Sequence, residues 1–356
     1  MSDRPSDDFR PTAPWENLRL RAELLRRLRE FFRQRGFLEV ETPILSADTV
    51  VDRHLDPFAV AEAGEKGTVP ICAKHPTTNL RSVPGSGKGG LSPFPTWLQT
   101  SPEFAMKRLL AAGAEAIYQV SRVFRQGEQG TLHNPEFTLV EWYRTGERLD
   151  EGIQRTSELC DALLGRGPAE RTTYREAFLR HVGLDPHVAP VEDLMAAARQ
   201  GRAPREAWLP PESLRPDDRD GWLDWLLTER VQMHLGQGRP LLLCDYPASQ
   251  AALAEIRPGN PPVAERFELY VSGIELANGY HELRDAGELR KRIARANAQR
   301  VADGKPPLPE SSRLLAAMEA GLPPAVGVAL GFDRLVMLAA GAKTIAEVMA
   351  FPWDRA

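Results

Sequence analysis

Cysteine is scarce. Cys72, Cys160 and Cys244 are the only three, far apart and odd in number. They fit neither a disulfide framework nor a CxxC metal site, which points to a reducing compartment. Long apolar runs are missing as well. No stretch of about 18 apolar residues exists, so no membrane span is expected. The N-terminal MSDRPSDDFRPTAPWENLRL is polar, carries acids and lacks a signal-peptide core. Charge of one sign is missing too. The 45 Lys and Arg against 49 Asp and Glu leave a net charge of −4, which gives the whole protein no electrostatic footprint for nucleic acid. A local basic patch is still allowed. There are no internal repeats and no βαβ rhythm. Strands precede and surround helices, so the expected class is α+β, an antiparallel sheet flanked by helices. The glycine-rich GSGKGG lacks the GxxxxGK[ST] spacing of a phosphate loop.

Residues 1–15 are expected to be a loose polar arm, followed by one domain over 16–356. Leu24, Leu28 and Phe31 recur at helical spacing between arginines, which predicts a helix from Glu16 to about Arg35, stopped by Gly36. FLEVETPIL (37–45) reads as a strand, with Pro43 marking an edge or a bend. The Gly-, Pro-, Ser- and Lys-rich stretch 61–96 reads as a long mobile loop. Ser101 is a candidate N-cap, with Glu103 in the first turn of its helix. AIYQVSRVFRQ and FTLVEWYR read as two strands joined by a loop. Residues 150–235 read as mostly helical, with Pro-rich breaks near 204–216. PLLLCDYP (240–247) reads as a short buried strand. RFELYVSGIELANGYHEL (266–283) reads as two strands around Ser272-Gly273, followed by a charged helix to about Asp303. GVALGFDRLVML (327–338) reads as a strand running into a helix.

Several residues in these segments carry chemistry. In HNPEFTLVEWYR (133–144), polar and apolar side chains alternate, which fits either a half-solvated edge strand or the floor of a polar site. Arg125, at a strand end before a glycine-bearing loop, can clamp a phosphate or be a surface charge. His133 can touch a terminal phosphate or be structural. Glu268 and Glu275 lie across a hairpin and can share Mg²⁺, or simply face water. If Glu103, Glu141 and Glu282 converge, they need a cation. A diamino substrate supplies one, and internal ion pairs are the plain alternative. Gly331 lets a flat ring approach the backbone. Arg334 can stack on that ring, bind phosphate, or form a local salt bridge with Asp333.

Together these segments resemble a class II aminoacyl-tRNA synthetase catalytic domain. GFLEVETPIL (36–45) resembles its first motif, with Pro43 at the usual dimer-interface turn. VFRQGEQGTLHNPEFTLVEWYR (123–144) resembles its second and GVALGFDRLVML its third. HNPEFT, EWY and ELANGYHEL are of the lysyl type. From about residue 15 to Ala356 the chain is similar to the elongation factor P–(R)-β-lysine ligases, including YPASQAAL, GIELANGYHEL and the terminal AEVMAFPWDRA. These are lysyl-tRNA synthetase paralogues without the OB-fold anticodon-binding domain, and here the first helix begins near Glu16.

The resemblance implies a cytoplasmic homodimer that uses ATP and Mg²⁺ to activate (R)-β-lysine. The β-lysyl group then passes from the adenylate to a lysine of elongation factor P, with no tRNA and no membrane involved. It implies Ser101, Pro102, Glu103, Glu141, Tyr143, Glu282 and Ala329 as substrate-binding residues. Arg125 and Arg334 would be catalytic. Arg125, Gln126, Gly127, Glu128, His133, Asn134, Glu275, Leu276, Gly331 and Arg334 would bind ATP, and Glu268 and Glu275 the metal. Ala329 stands where lysyl-tRNA synthetases have glycine. Its methyl would either favour a displaced amino group or serve strand packing. The second motif usually reads Arg-x-Glu. Here Gly127 holds the acid's place and Glu128 follows, so either Glu128 serves or the backbone reads adenine.

Overall fold

The computed structural model describes residues 9–60, 96–199, 210 and 214–356. In chain order the elements begin with α1 (Trp15–Gln34), β1 (Leu38–Glu39), β2 (Leu45–Ser46), β3 (Ala59–Val60), β4 (Thr96–Leu98) and α2 (Glu103–Ala111). Next come β5 (Ala116–Phe124), β6 (Glu136–Thr145), α3 (Leu149–Leu164), β7 (Glu170–Thr173), α4 (Tyr174–His181), α5 (Val191–Arg199) and α6 (Arg219–Leu226). The remainder is β8 (Leu241–Pro247), β9 (Ile256–Arg257), β10 (Val263–Val271), β11 (Ile274–His281), α7 (Ala286–Ala302), α8 (Arg313–Gly321), β12 (Ala325–Gly331) and α9 (Phe332–Ala340).

The main sheet has the order β1-β5-β6-β12-β11-β10-β8-β7, with β9 also pairing β10. Its interior is antiparallel, as expected, but both edges are parallel: β1 with β5 and β7 with β8. A small sheet β2-β4-β3 stands apart. The period-two pattern decides which face is buried. Val140, Trp142, Val326, Val328, Leu330, Phe267 and Leu269 face one way, into a core with α1, α3 and α9. There Phe32 stacks on Tyr118, with centroids 4.4 Å apart, and lies against Trp142. α1 forms as its spacing predicts. Leu24, Leu28, Phe31 and Phe32 are buried, while the outer face carries Arg26–Glu23 and Arg33–Glu30 pairs. The opposite face of β6, β12, β11 and β10 is left for the site. It is walled by α2, α7 and α8, which share a second apolar cluster with Tyr143.

Several expectations are corrected. The described part of the arm is not loose: Thr12 and Ala13 donate backbone hydrogen bonds to Ala350 and Met349, and Ala13 is buried. FLEVETPIL is not one strand: Leu38–Glu39 joins the main sheet, with the Val40 amide donating on to the Tyr118 carbonyl, and Leu45 begins the pairing of the small sheet. Pro43 offers no donor to a ladder, so the chain bends between two sheets. The stretch 150–235 contains β7, which the helical reading missed. Residues 61–95, including GSGKGG and Cys72, and most of 204–216 lie outside the described residues, while Thr96 belongs to β4. Cys160 and Cys244 are free and buried. No described helix is long and apolar enough to cross a membrane.

Candidate active site

A cavity of about 680 Å³ opens on the free face of the sheet. β6 supplies its floor. Phe137, Leu139, Glu141 and Tyr143 share one parity and all line the cavity. Of the two readings of HNPEFTLVEWYR, the floor of a polar site is the one realised, with Phe137 and Leu139 pointing the same way as Glu141. β12 lies beside β6, with Gly327 opposite Tyr143 and Ala329 opposite Glu141. On its other side β11 sets Asn278 opposite Ala329 and Tyr280 opposite Gly327.

One end of the cavity is acidic. Ser101 donates to Glu141 Oε1 at 2.6 Å and Tyr143 to Glu141 Oε2 at 3.0 Å. Glu141 is buried, and burial together with the charge of Glu103 pushes it up to about 7. Burial also holds the Tyr143 phenol well above its ordinary value, so it stays a donor. Glu103, Glu141 and Glu282 do converge. The internal cation is Lys107, 2.6 Å from Glu103 and 2.5 Å from Glu282. The ion-pair alternative is thus realised for two of the three acids. Ser101 is not the N-cap, a position held by Pro102, yet its hydroxyl accepts from the first helical amide, Glu103, at 3.0 Å.

The other end is built from the β5–β6 loop and the start of α9. Arg125 donates to the Thr100 carbonyl, and its guanidinium lies 5.0 Å from the Phe137 ring centre. It lines the same cavity as Glu141 and Glu275. Arg334 donates to the Glu275 carbonyl at 3.0 Å and to His133 Nε2 at 2.7 Å. His133 must be neutral at that nitrogen, and burial with the Arg334 charge keeps its pKa low. Asp333 does not pair with its neighbour Arg334. It accepts from Arg21 and from the Thr138 amide, each at 2.6 Å. An added Cβ at Gly331 would have no atom nearer than 3.8 Å, so the cavity is open there.

Other expected residues are placed differently. Gly127 has φ +83°, a conformation that disfavours any side chain. The cavity is reached by Glu128, 3.7 Å from Arg125. Gln126 and Gly127 are exposed, Pro102 is buried, and none of the three lines the cavity. Asn134 touches the cavity, but its amide is used internally: it donates to the Glu136 carbonyl and accepts from the Trp353 amide. Leu276 and Ala329 line the cavity as expected.

Two carboxylates are candidates for a metal. Glu275 is open to the cavity, and burial with the charge of Glu268 pushes it up to about 7. Glu268 lies beneath, accepting from Arg266 and from the Tyr270 hydroxyl, both at 2.5 Å. An ionised carboxylate keeps spare lone pairs after two such bonds. Mg²⁺ usually takes one or two carboxylates and completes its shell with water and phosphate. The donor set fits that arrangement, with Glu275 foremost and Glu268 behind. No group of three or more acid, His or Cys ligands occurs among the described residues.

The cavity thus joins arginines at one end to an acidic pocket at the other on an antiparallel floor. The family model of class II tRNA synthetases (D, K and N) matches residues 6–355. The chain belongs to that family. An elongation factor P–(R)-β-lysine ligase of Klebsiella pneumoniae is 44% identical over 98% of each chain, and one of Vibrio cholerae is 44% identical over 99% of each. The Edwardsiella ictaluri ligase is 42% identical along the whole of both chains. The cavity and its immediate surroundings also contain residues that the motifs alone did not single out. Lys107 sits four residues after Glu103 on a helix, a spacing that brings side chains together. Phe137 and Asn278 were legible from strand parity with Glu141 and Leu276.

Proposed function

We propose that this chain is an ATP-dependent ligase that activates (R)-β-lysine as an adenylate. It then transfers the β-lysyl group to the ε-amino group of a specific lysine on elongation factor P. The observation that carries this reading is a single cavity that joins an acidic pocket to an arginine-lined end. Glu141 and Tyr143 face the amino groups of the substrate, and Glu282 its distal ammonium. That leaves the substrate carboxylate directed at Arg125. Phe137 and the open backbone at Gly331 offer flat surfaces to a base, and Glu128 is the acid within reach of it. Arg125 meets the α-phosphate, and Arg334 with neutral His133 meets the outer phosphates. Glu275 and Glu268 would hold Mg²⁺, which would neutralise phosphate charge when bound.

In the first step a carboxylate oxygen attacks the α-phosphorus, the bond to the β-phosphate breaks, and pyrophosphate leaves. The carboxylate is already a nucleophile, so the protein contributes alignment and charge neutralisation. Arg125 stabilises the extra negative charge of the pentacoordinate state. In the second step the acceptor amine attacks the acyl carbon, AMP leaves, and an amide forms with loss of a proton. The reading includes a cytoplasmic homodimer that needs neither tRNA nor membrane.

The test is ATP–pyrophosphate exchange with (R)-β-lysine and α-lysine in parallel, each chased with elongation factor P or tRNA and read by intact mass. Preference for β-lysine with a mass gain on the protein supports the ligase. Preference for α-lysine with charging of tRNA replaces it with a lysyl-tRNA synthetase.

A further inference from the structure

Lys107 has no part in the scheme above, yet it is among the largest fully buried side chains of the molecule. It does not line the cavity. It lies behind two residues that do, with its ammonium between Glu103 Oε1 and Glu282 Oε2. A buried ammonium is costly unless paired, and a buried carboxylate equally so. The three groups hold one another from α2 and from the end of β11, elements far apart in sequence. When all three carboxylates (Glu103, Glu141 and Glu282) carry their charge, the one internal ammonium leaves the pocket two positive charges short of neutrality. A diamino acid brings two ammonium groups, while its own carboxylate is directed at Arg125.

We propose that Lys107 is the positioning residue that holds Glu103 and Glu282 in place from behind the cavity and matches the charge of the pocket to two ammonium groups. The inference rests on the ligase reading only in taking the substrate to be a diamino acid.

The groups facing Glu282 are Glu103 and Lys107 from α2, Glu141 and Tyr143 from β6, and Tyr280 from β11. Arg125 acts on Glu141 from the end of β5. Burial pushes Glu282 up to about 8; Lys107 opposes that shift and Glu103 adds to it. For Lys107, burial works against the charge, and the two carboxylates outweigh it. Without Lys107, Glu282 keeps the burial and the repulsion but loses the compensation. It then holds a proton to higher pH, and a substrate ammonium can pair with it only once that proton has left. The acidic limb of kcat/KM must therefore move upward.

The experiment is ATP–pyrophosphate exchange with (R)-β-lysine and with α-lysine, as a function of pH. It compares the wild type, Lys107→Met and the double variant Lys107→Met/Glu103→Gln, with ATP affinity and thermal melting as checks of folding. For Lys107→Met we expect KM near neutral pH to rise about tenfold and the acidic limb to move up by about one pH unit, since one unit is a tenfold change in protonation. The double variant removes the repelling charge together with the cation, so its acidic limb should return toward that of the wild type. An unmoved limb in Lys107→Met, or a limb equally displaced in the double variant, overturns the proposal and leaves Lys107 a packing residue. If Lys107→Met does not fold, Lys107→Gln takes its place in the same comparison, beside Lys107→Arg, which keeps the charge and should keep the wild-type limb; an unmoved limb in Lys107→Gln overturns the proposal. The wild-type arm reads the ligase assignment separately. A wild type that prefers α-lysine refutes that assignment while the variants still report on Lys107, and exchange with neither diamino acid overturns both.

Discussion

An added Cβ at Gly327 would stand 2.1 Å from Glu282 Oε1 and 2.2 Å from the Tyr143 ring. Both line the cavity and close over the β12 backbone at this point, so here the absence of a side chain shapes the pocket. Gly327→Ala must push Glu282 and Tyr143 outward by about an ångström, a misplacement that can cost about a hundredfold in rate. We expect amino-acid activation to fall by that order while ATP affinity stays near the wild-type value, read by pyrophosphate exchange and by nucleotide titration. A variant with unchanged exchange would show that the pocket relaxes freely. The sequence carried GVALG as a motif and drew attention to Ala329. It could not show that Gly327 is the tighter position, because the crowding comes from Tyr143 and Glu282, which reach it across two different strands. Lys107 was partly hidden for the same reason. Its helical partner Glu103 was visible at i+4 spacing, but Glu282 arrives only through folding.

Among the elements, α1, β6 and α9 are tied by one polar cluster beneath the third motif. Arg21 donates to Asp333 and to the Thr138 hydroxyl, and the Thr138 amide donates to Asp333. Asp333 is buried, Arg21 is nearly so, and the guanidinium lies over the Phe332 ring. Removing one partner of a buried pair leaves the other charge uncompensated. Asp333→Ala is therefore expected to cost about 3 kcal/mol, the lower part of the usual range because Arg21 keeps some access to water. Asp333→Asn, which still accepts from the amide, should cost less. Denaturant midpoints compare the two, and a loss below about 1 kcal/mol for the alanine variant would mean that the cluster adds little. The sequence suggested Asp333 and Arg334 as a local pair, since adjacency is all it displays. Consecutive residues at the start of a helix point in different directions. Asp333 turns toward α1 and Arg334 toward the cavity. Strong alternation made β5, β6, β10, β11 and β12 legible. β1 was legible only as part of a longer strand over 37–45, and β7 was missed, because it is a short edge strand whose partner, β8, lies far along the chain.

At the scale of the whole molecule, the first-motif region stands out for exposed apolar side chains. Leu38 is 64% exposed, Leu45 48% and Ile44 42%, around the bend at Pro43. β1 pairs only with β5 and is an edge of the main sheet, while β2 is an edge of the small one. Apolar residues gathered at sheet edges invite association, and a closed two-fold dimer is the commonest way to cover them. The proposed homodimer accounts for the patch, with Pro43 setting the angle at which it is presented. The prediction is that the protein sediments as a dimer and that Leu38→Glu together with Ile44→Glu converts it to a monomer. Both side chains lie on the surface of the single chain, so the double variant should retain its secondary structure by circular dichroism. Because β1 reaches the site through β5, which ends at Phe124 just before Arg125, a monomer that still carries out pyrophosphate exchange would show that each subunit is complete for catalysis. A monomer that loses exchange would show that dimerisation holds the Arg125 end of the sheet in place. A double variant that remains dimeric would move the interface away from the first motif altogether.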